Sequence, residues 1–408
     1  MTLGPMDSGP LIILLALAGS TSANQNATSP QRIGWTSSPT KRGTAGILWS
    51  CLLTILACSW TVLHQNIPAE LDSAFVKWAR KLTWMLVTIV APELTAAQAY
   101  VQWVEARNSV LEMRGLGFDS ESWTMVHGFY ANMGAFFIKF DDGTSYTLDL
   151  KQLIWCFTNG HLTSHDISIS EKEIEDRSKS SIFAKVVTCG QSIWLVVQCI
   201  GRTAQHLPVS RLELATCAYV ACSLITWYFW LQKPFDVEQQ KAAGPVLKKE
   251  VLHQMLTEVI RNEHPTDRVR TQGLLWASKA AAFGIYGVGL LFSAIHCIAW
   301  NSDFPSSRER LLWRIFATSA AGSTASLLFL LIPYYGSRHI KVKSIGWRGD
   351  GEINMAWESL LTPIMLPLLV LYTASRFYLL FAMFYTLRSM PVEVYETVTW
   401  TEYIPHIG

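Results

Sequence analysis

Eight apolar runs separated by polar stretches set the frame of this chain, near 45–64, 82–104, 123–138, 183–201, 211–230, 273–299, 312–334 and 360–386. A helix needs about 20 mostly apolar residues to cross the hydrocarbon of a bilayer, and most of these runs reach that length. The pattern predicts an all-α fold: a polytopic transmembrane bundle of about eight helices with small extramembrane loops. The third run is short, and is expected to be tilted, broken or partly embedded.

Between the runs, shorter patterns predict local elements. Residues 136–150 alternate apolar and polar around Asp142-Gly143, a hairpin signal. Ser170 followed by Glu173 fits a capping box and opens a short acidic helix. Residues 246–260 place Leu252, Met255, Leu256 and Val259 on one helical face, flanked by Lys248, Lys249 and Arg261. That helix fits a membrane interface or the protein's own surface equally well by periodicity. No internal repeat is visible, which weighs against transporter folds built from two related halves.

The first residues supply an orientation. Residues 11–18 form a short apolar stretch followed by small residues through Ala23, like the core of a secretory signal peptide, although Asp7 and no Lys or Arg precede it. Asn26-Ala27-Thr28 is a glycosylation sequon, used only in the lumen. The expected organisation is a signal peptide at 1–23, a lumenal segment at 24–44, the transmembrane domain at 45–390 and a tail at 391–408. A lumenal start puts Lys77, Arg80, Lys81, the loop 232–272 with its seven Lys/Arg, and Arg338, Lys341, Lys343 and Arg348 on the cytosolic side. This agrees with the positive-inside bias and with a multi-pass protein of the endoplasmic reticulum.

Composition narrows the class. Half of the residues are hydrophobic and 16% are charged, against about 25% charged in soluble domains. The net charge of +2 gives no reason to expect nucleic acid as a partner. The 17 Trp suit membrane interfaces. The 8 Cys form no CxxC pair and no Cys/His cluster with zinc spacing, so they read as small core residues, with no metal or cofactor expected. GxSxG, HExxH, GxxxxGK[ST] and DDxxD are absent; the last absence argues against metal-dependent ionisation of a diphosphate.

Polar groups within the runs are the candidate chemistry. Glu93 follows Pro92 in the middle of run 82–104, where a carboxylate costs roughly 3 kcal/mol on insertion scales unless it is sheltered. Pro92 should kink the helix and make room for it. Glu93 is then either a proton donor held neutral or a brace for the kink. Arg211 and Glu213 open the fifth run, near Arg202; they form a structural ion pair or a substrate-facing acid held by arginine. His127 and His296 are packing histidines or acid/base partners. Lys185 and Lys279 read as snorkelling side chains. Trp123, Tyr130, Asn132, Trp194 and Trp227 are core or interface residues, or they line a pocket whose aromatic faces attract a cation.

Several strings resemble a large family of fungal integral membrane proteins. They are Gly34-Trp35, Arg42-Gly43-Thr44, Trp49-Ser50-Cys51, Trp60-Thr61-Val62-Leu63-His64-Gln65-Asn66-Ile67-Pro68, Ala91-Pro92-Glu93, His127-Gly128-Phe129 and Asn132-Met133-Gly134. The likeness continues at Asp176-Arg177-Ser178-Lys179, Leu212-Glu213-Leu214-Ala215-Thr216, Lys233-Pro234-Phe235-Asp236-Val237, Ile295-His296-Cys297-Ile298-Ala299-Trp300 and the tail 400–407, covering about 34–408. Ala135 departs from the pattern, standing where many relatives have a second glycine. Some members of that family look like membrane-bound terpene cyclases of meroterpenoid pathways. The resemblance therefore implies cyclisation of a farnesyl chain on a phenol or quinone, begun by protonating an olefin or epoxide, with a prenylated small molecule and membrane lipid as partners. Glu93, or Glu213 with Arg211, would be the acid, and His127 or His296 its orienting base. The alternative is a transporter, sensor or scaffold without catalysis.

Overall fold

The computed structural model describes residues 31–37, 42–69, 72–119, 122–178, 182–259, 279–336 and 350–400. The expected signal peptide, Asn26, the loop 260–272, the start of the sixth run, Lys179, Arg338, Lys341, Lys343, Arg348 and the tail beyond Trp400 lie outside them.

In chain order the elements are β1 (Arg32–Ile33), α1 (Thr44–Thr61), α2 (Ala74–Val90), α3 (Pro92–Gly115), α4 (Met125–Asn132), β2 (Phe136–Lys139), β3 (Ser145–Leu148), α5 (Leu150–Thr158), α6 (Glu171–Arg177) and α7 (Ile182–Ala204). They continue as α8 (Arg211–Phe229), β4 (Lys241–Ala242), α9 (Lys249–Val259), α10 (Lys279–Cys297), α11 (Ser307–Gly336), α12 (Asp350–Tyr385) and β5 (Met390–Pro391). Five segments are long and apolar enough to cross a membrane: Thr44–Thr61, Arg211–Phe229, Ala282–Asn301, Ser307–Leu331 and Pro363–Arg388. A bent pair, α2 with α3, raises this to six if it counts as one span. The α8 window is 61% buried and the α12 window only 11%, so α8 is an interior helix and α12 turns Leu366, Val370, Phe377 and Phe381 outward, as lipid contact requires. This is a membrane protein, and five of these segments, or six with the bent pair, meet that length and hydropathy among the described residues.

Two of the expected spans differ for physical reasons. Run 82–104 does not form one kinked helix. Ala91, ahead of a proline, leaves the helical region at φ −143° and ψ 74°, and Pro92 starts a new helix 112° away. Run 123–138 crosses nothing: α4 has eight residues, Gly134 turns the chain at φ +79°, and Phe136 begins a strand. Run 183–201 forms the 23-residue helix α7, with Lys185 near its start and Arg202 in its last turn.

The chain splits into two compact units, Met1–Cys58 with Val186–Cys222 and Ile285–Gly408, and Ser59–Lys185 with Ser223–Gly284. In the first, α11 and α12 pack together, with Phe316 stacked on Tyr378 at 4.1 Å. Strands β1 and β5 pair antiparallel, Arg32 opposite Pro391 and Ile33 opposite Met390.

The second unit is not a set of small loops, and it is not all helix. A three-stranded sheet of order β3-β2-β4 joins α4, α5 and α9 around a buried core that includes Trp123, Tyr130, Phe136, Leu148, Leu153 and Met255. The hairpin turns at Gly143, with Phe136 opposite Leu148 and Lys139 opposite Ser145. Ser170 Oγ accepts the Glu173 N–H and caps α6 as its spacing predicts. Helix α9 places Leu252 and Met255 in this core, which decides between its two readings: it packs on protein. The eight cysteines form no disulfide.

Candidate functional site

The residues singled out in the sequence fall into both units. Glu93, His127, Trp123, Tyr130, Asn132 and Trp227 belong to the second, and Glu213, Arg211, His296 and Trp194 to the first. Glu93 is 3% exposed in the first turn of α3, beside a break braced by the Thr88–Thr95 hydroxyl pair at 2.8 Å. His127 is fully engaged. Its Nδ1 accepts from the Thr124 N–H at 3.2 Å, so the proton sits on Nε2, which donates to Ile169 O at 2.7 Å. Trp123 Nε1 donates to Ser109 Oγ at 3.3 Å, and Tyr130 Oη accepts from Arg177 Nη1 at 3.2 Å. These three residues brace α4.

In the first unit Glu213 meets Arg42 rather than Arg211. One carboxylate oxygen accepts from Arg42 Nη2, and the other from the Ser210 N–H at 3.0 Å and Ser210 Oγ at 2.8 Å. His296 Nδ1 donates to Phe292 O at 2.8 Å, with the Trp313 ring at 6.2 Å. Trp194 is half exposed and packs on Trp400 at 5.3 Å.

The densest unclaimed chemistry is a lysine–aromatic cluster in the second unit. Five stretches supply it: the end of α1 and the segment after it, the first half of α2, α3 through Gln102, the start of α7, and the segment after α8. Lys233, 4% exposed, donates to His64 O and to Gln102 Oε1 at 2.8 Å and sits 4.7 Å over the Trp230 ring. His64 Nδ1 donates to Val62 O at 2.9 Å, leaving Nε2 to accept from Lys185 Nζ at 3.4 Å. Lys185 lies 5.0 Å over Phe235, and Lys81 lies 5.1 Å over the same ring and 4.6 Å over Trp60. Asp236, held at φ +47°, pairs with Lys81 at 2.6 Å. Among the described residues Asp236 is the carboxylate that pairs within this lysine group, through Lys81, and π faces make up part of the deficit.

The cluster opens to the surface. Lys81 and Asp236 also wall a cleft of about 170 Å³ lined by Gln65, Asn66, Lys77, Glu238 and Arg80, the last paired with Asp72 at 3.4 Å. Gln65 Nε2 is buried without a hydrogen-bond partner. Such a site fits an oxyanion: donors outnumber acceptors, and desolvated aromatic walls strengthen each charge.

Burial alone lowers the Lys233 ammonium to about 7, from 10.5. The unfolded chain therefore binds the extra proton between about pH 7 and pH 10.5, so stability rises with pH across that window, and the burial penalty is fully present below it. Lys233→Met is expected to flatten that slope. Thermal melts of both proteins from about pH 6 to about pH 9 check this; parallel slopes would contradict it.

The model of a family of unknown function matches residues 11–262 and 274–407. The chain belongs to that family, DUF8562. No curated protein and no solved structure matches it. The residues of the cluster still have a common mark in the sequence. His64 to Pro68 and Lys233 to Val237 are two of the strings singled out in the sequence, and the structure joins them where Lys233 donates to His64 O. Ser178, from a third string, exchanges hydrogen bonds with the Phe235 backbone at 3.1 and 3.0 Å. Ile67 N–H donates to Met133 O of a fourth at 3.0 Å. Lys233 escaped notice because it stands just beyond an apolar run, where a lysine reads as a flank. Lys81 read as a cytosolic flanking charge and Lys185 as a snorkelling side chain, and here they converge on one ring.

Proposed function

We propose that this protein is a multi-pass membrane binding protein, of the transporter, sensor or scaffold class, for an amphiphile with a phosphate headgroup. The observation that carries this reading is the convergence of Lys81, Lys185 and Lys233 on Phe235 and Trp230 beside an open cleft, with Asp236 paired to Lys81. A headgroup oxyanion would supply the missing acceptors, and the apolar tail would stay with lipid. A lumenal start would put the end of α1, and with it this site, on the cytosolic side, where anionic lipid is concentrated.

The test is binding of short-chain phosphatidic acid to protein in phosphatidylcholine nanodiscs. Lys81→Met and Lys233→Met should each weaken binding about tenfold, the scale of one charge-assisted contact. Binding should also tighten from about pH 8 to about pH 6, as Lys233 takes up its proton. Equal affinity in wild type and both variants would remove the site from consideration.

A second reading, the membrane terpene cyclase, draws on the fungal resemblance and on Glu93. This carboxyl is buried at the α2–α3 break, and Tyr100, seven residues on and so on the same face of α3, packs with Trp103 and Phe229 at 6.5 and 5.1 Å. A buried acid about two turns along one helix face from π faces suits protonation of an olefin or epoxide and shelter of the resulting cation. Glu93→Gln in microsomes fed a farnesyl-phenol is expected to abolish cyclised product at normal protein level. Full-rate cyclisation by that variant would end the acid assignment. Glu213 is left out, because Arg42 and Ser210 take up both of its oxygens.

A further inference from the structure

We infer that the first unit holds a separate oxyanion site at Arg211 and Arg310, independent of the lysine cluster. Arg211 is 3% exposed, and its guanidinium carbon lies 4.4 Å from the centre of the Phe304 ring. Its Nε and Nη2 have no hydrogen-bond partner. These two nitrogens form the side-on edge of the fork, the edge that receives a carboxylate or phosphate through two parallel bonds. Arg310 Nε is buried and also without a partner.

The surrounding charges explain why protein groups leave these donors open. Arg32, Arg310, Asp303 and Glu309 are the charged groups that act on Arg211. Glu309 is spent on Arg388, which donates to it at 2.8 and 3.3 Å, and on Ser306 at 3.0 Å. Arg32 is spent on Ser389 and on the Asp303 carbonyl. Glu213, in the same helical turn as Arg211, is held by Arg42 and Ser210. No carboxylate forms an ion pair with Arg211 or Arg310 among the described residues. Arg32, Arg211, Arg310 and Arg388 against Asp303 and Glu309 leave an excess of two positive charges. The N-terminus of α8, 19 residues long, adds its own positive field. A fixed plane, an open two-donor edge and a third donor nearby describe a receptor for a tetrahedral oxyanion, free or as a lipid headgroup.

The full chain in phosphatidylcholine nanodiscs tests this, with unfolding temperature as the readout. Inorganic phosphate is titrated in one arm, and phosphatidic acid is incorporated into the disc in the other. Wild type is expected to rise saturably in at least one arm, and the arm that responds identifies the source. In a Lys81→Met/Lys233→Met background, which removes the lysine cluster's share, a rise should remain, and adding Arg211→Gln should abolish it. If Arg211→Gln does not fold, Arg211→Lys keeps the charge without the fork and should raise the titration midpoint at least about tenfold, with Arg310→Gln as a second weakened variant. A wild type that responds in neither arm, or an Arg211→Lys midpoint in that background equal to the background's own, overturns the site. A response lost in the Lys81→Met/Lys233→Met background assigns the anion to the lysine cluster and also overturns it, as does one kept there by Arg211→Gln.

Discussion

Arg202→Met is expected to destabilise the protein by about 3–5 kcal/mol, the scale of breaking a buried charged network. Arg202 is buried at the end of α7 and makes five hydrogen bonds to backbone carbonyls: Nε and Nη2 to Pro208 O at 3.1 and 3.0 Å, Nη1 to Glu396 O at 2.7 Å, and Nη2 to Glu393 O and Val394 O at 3.0 Å each. One side chain thus ties the α7–α8 turn to the segment after β5. Methionine fills much of the volume and satisfies none of the four carbonyls, and each buried acceptor left unmade costs about 1–3 kcal/mol. Set against a usual total of about 5–15 kcal/mol, that is enough to deplete the folded protein. The check is the monodisperse yield and unfolding temperature in detergent. Arg202→Lys should recover only part, because an ammonium cannot reach carbonyls on both sides at once. Wild-type melting of Arg202→Met would show that these bonds do not hold the segment.

Gly128→Ala should act nearly as strongly, by about 1–3 kcal/mol or more. A Cβ at this position would lie 2.5 Å from Ser109 Oγ, 2.8 Å from Ala106 O and 3.1 Å from Ala106 Cα. The hydroxyl is part of a network, donating to Ala106 O at 2.6 Å and accepting from Trp123 Nε1 at 3.3 Å. The carbonyl belongs to the α3 backbone and cannot rotate away, so α4 must move off α3. The His127 bond to Ile169 O would shift with it. Combining Gly128→Ala with Ser109→Gly should restore part of the loss, since one of the two close contacts is then gone. Two additive penalties, or no loss in the single variant, would contradict this packing.

Local structure was largely legible along the chain. The Asp142-Gly143 hairpin and the Ser170 cap depend on residues within a few positions of each other, and both form as their spacing predicts. Run length located the five strongest candidate spans. It misread 123–138, because an apolar stretch reads alike whether it faces lipid or a protein core; Trp123, Tyr130 and Phe136 are core residues of the second unit. Pro92 marked the right place, but a proline pattern does not reveal the size of a bend, which reaches 112° here. Among the candidate site residues, the burial of Glu93 and the pairing of Glu213 matched their chemistry. The partner of Glu213 was out of reach, since Arg42 lies 171 positions away.

What the sequence by itself determined is membrane residence, the strongest apolar helices, the short turns and caps, and membership in a family that spans nearly the whole chain. Only the tertiary structure decided which apolar runs face protein, which carboxylates are already spent, and that Lys81, Lys185 and Lys233 meet around Phe235 and Trp230. The physical reason is range. Helix and turn signals are local backbone preferences summed over a few residues, whereas a binding site arises where distant segments exclude water together, and no local periodicity records which segments those are.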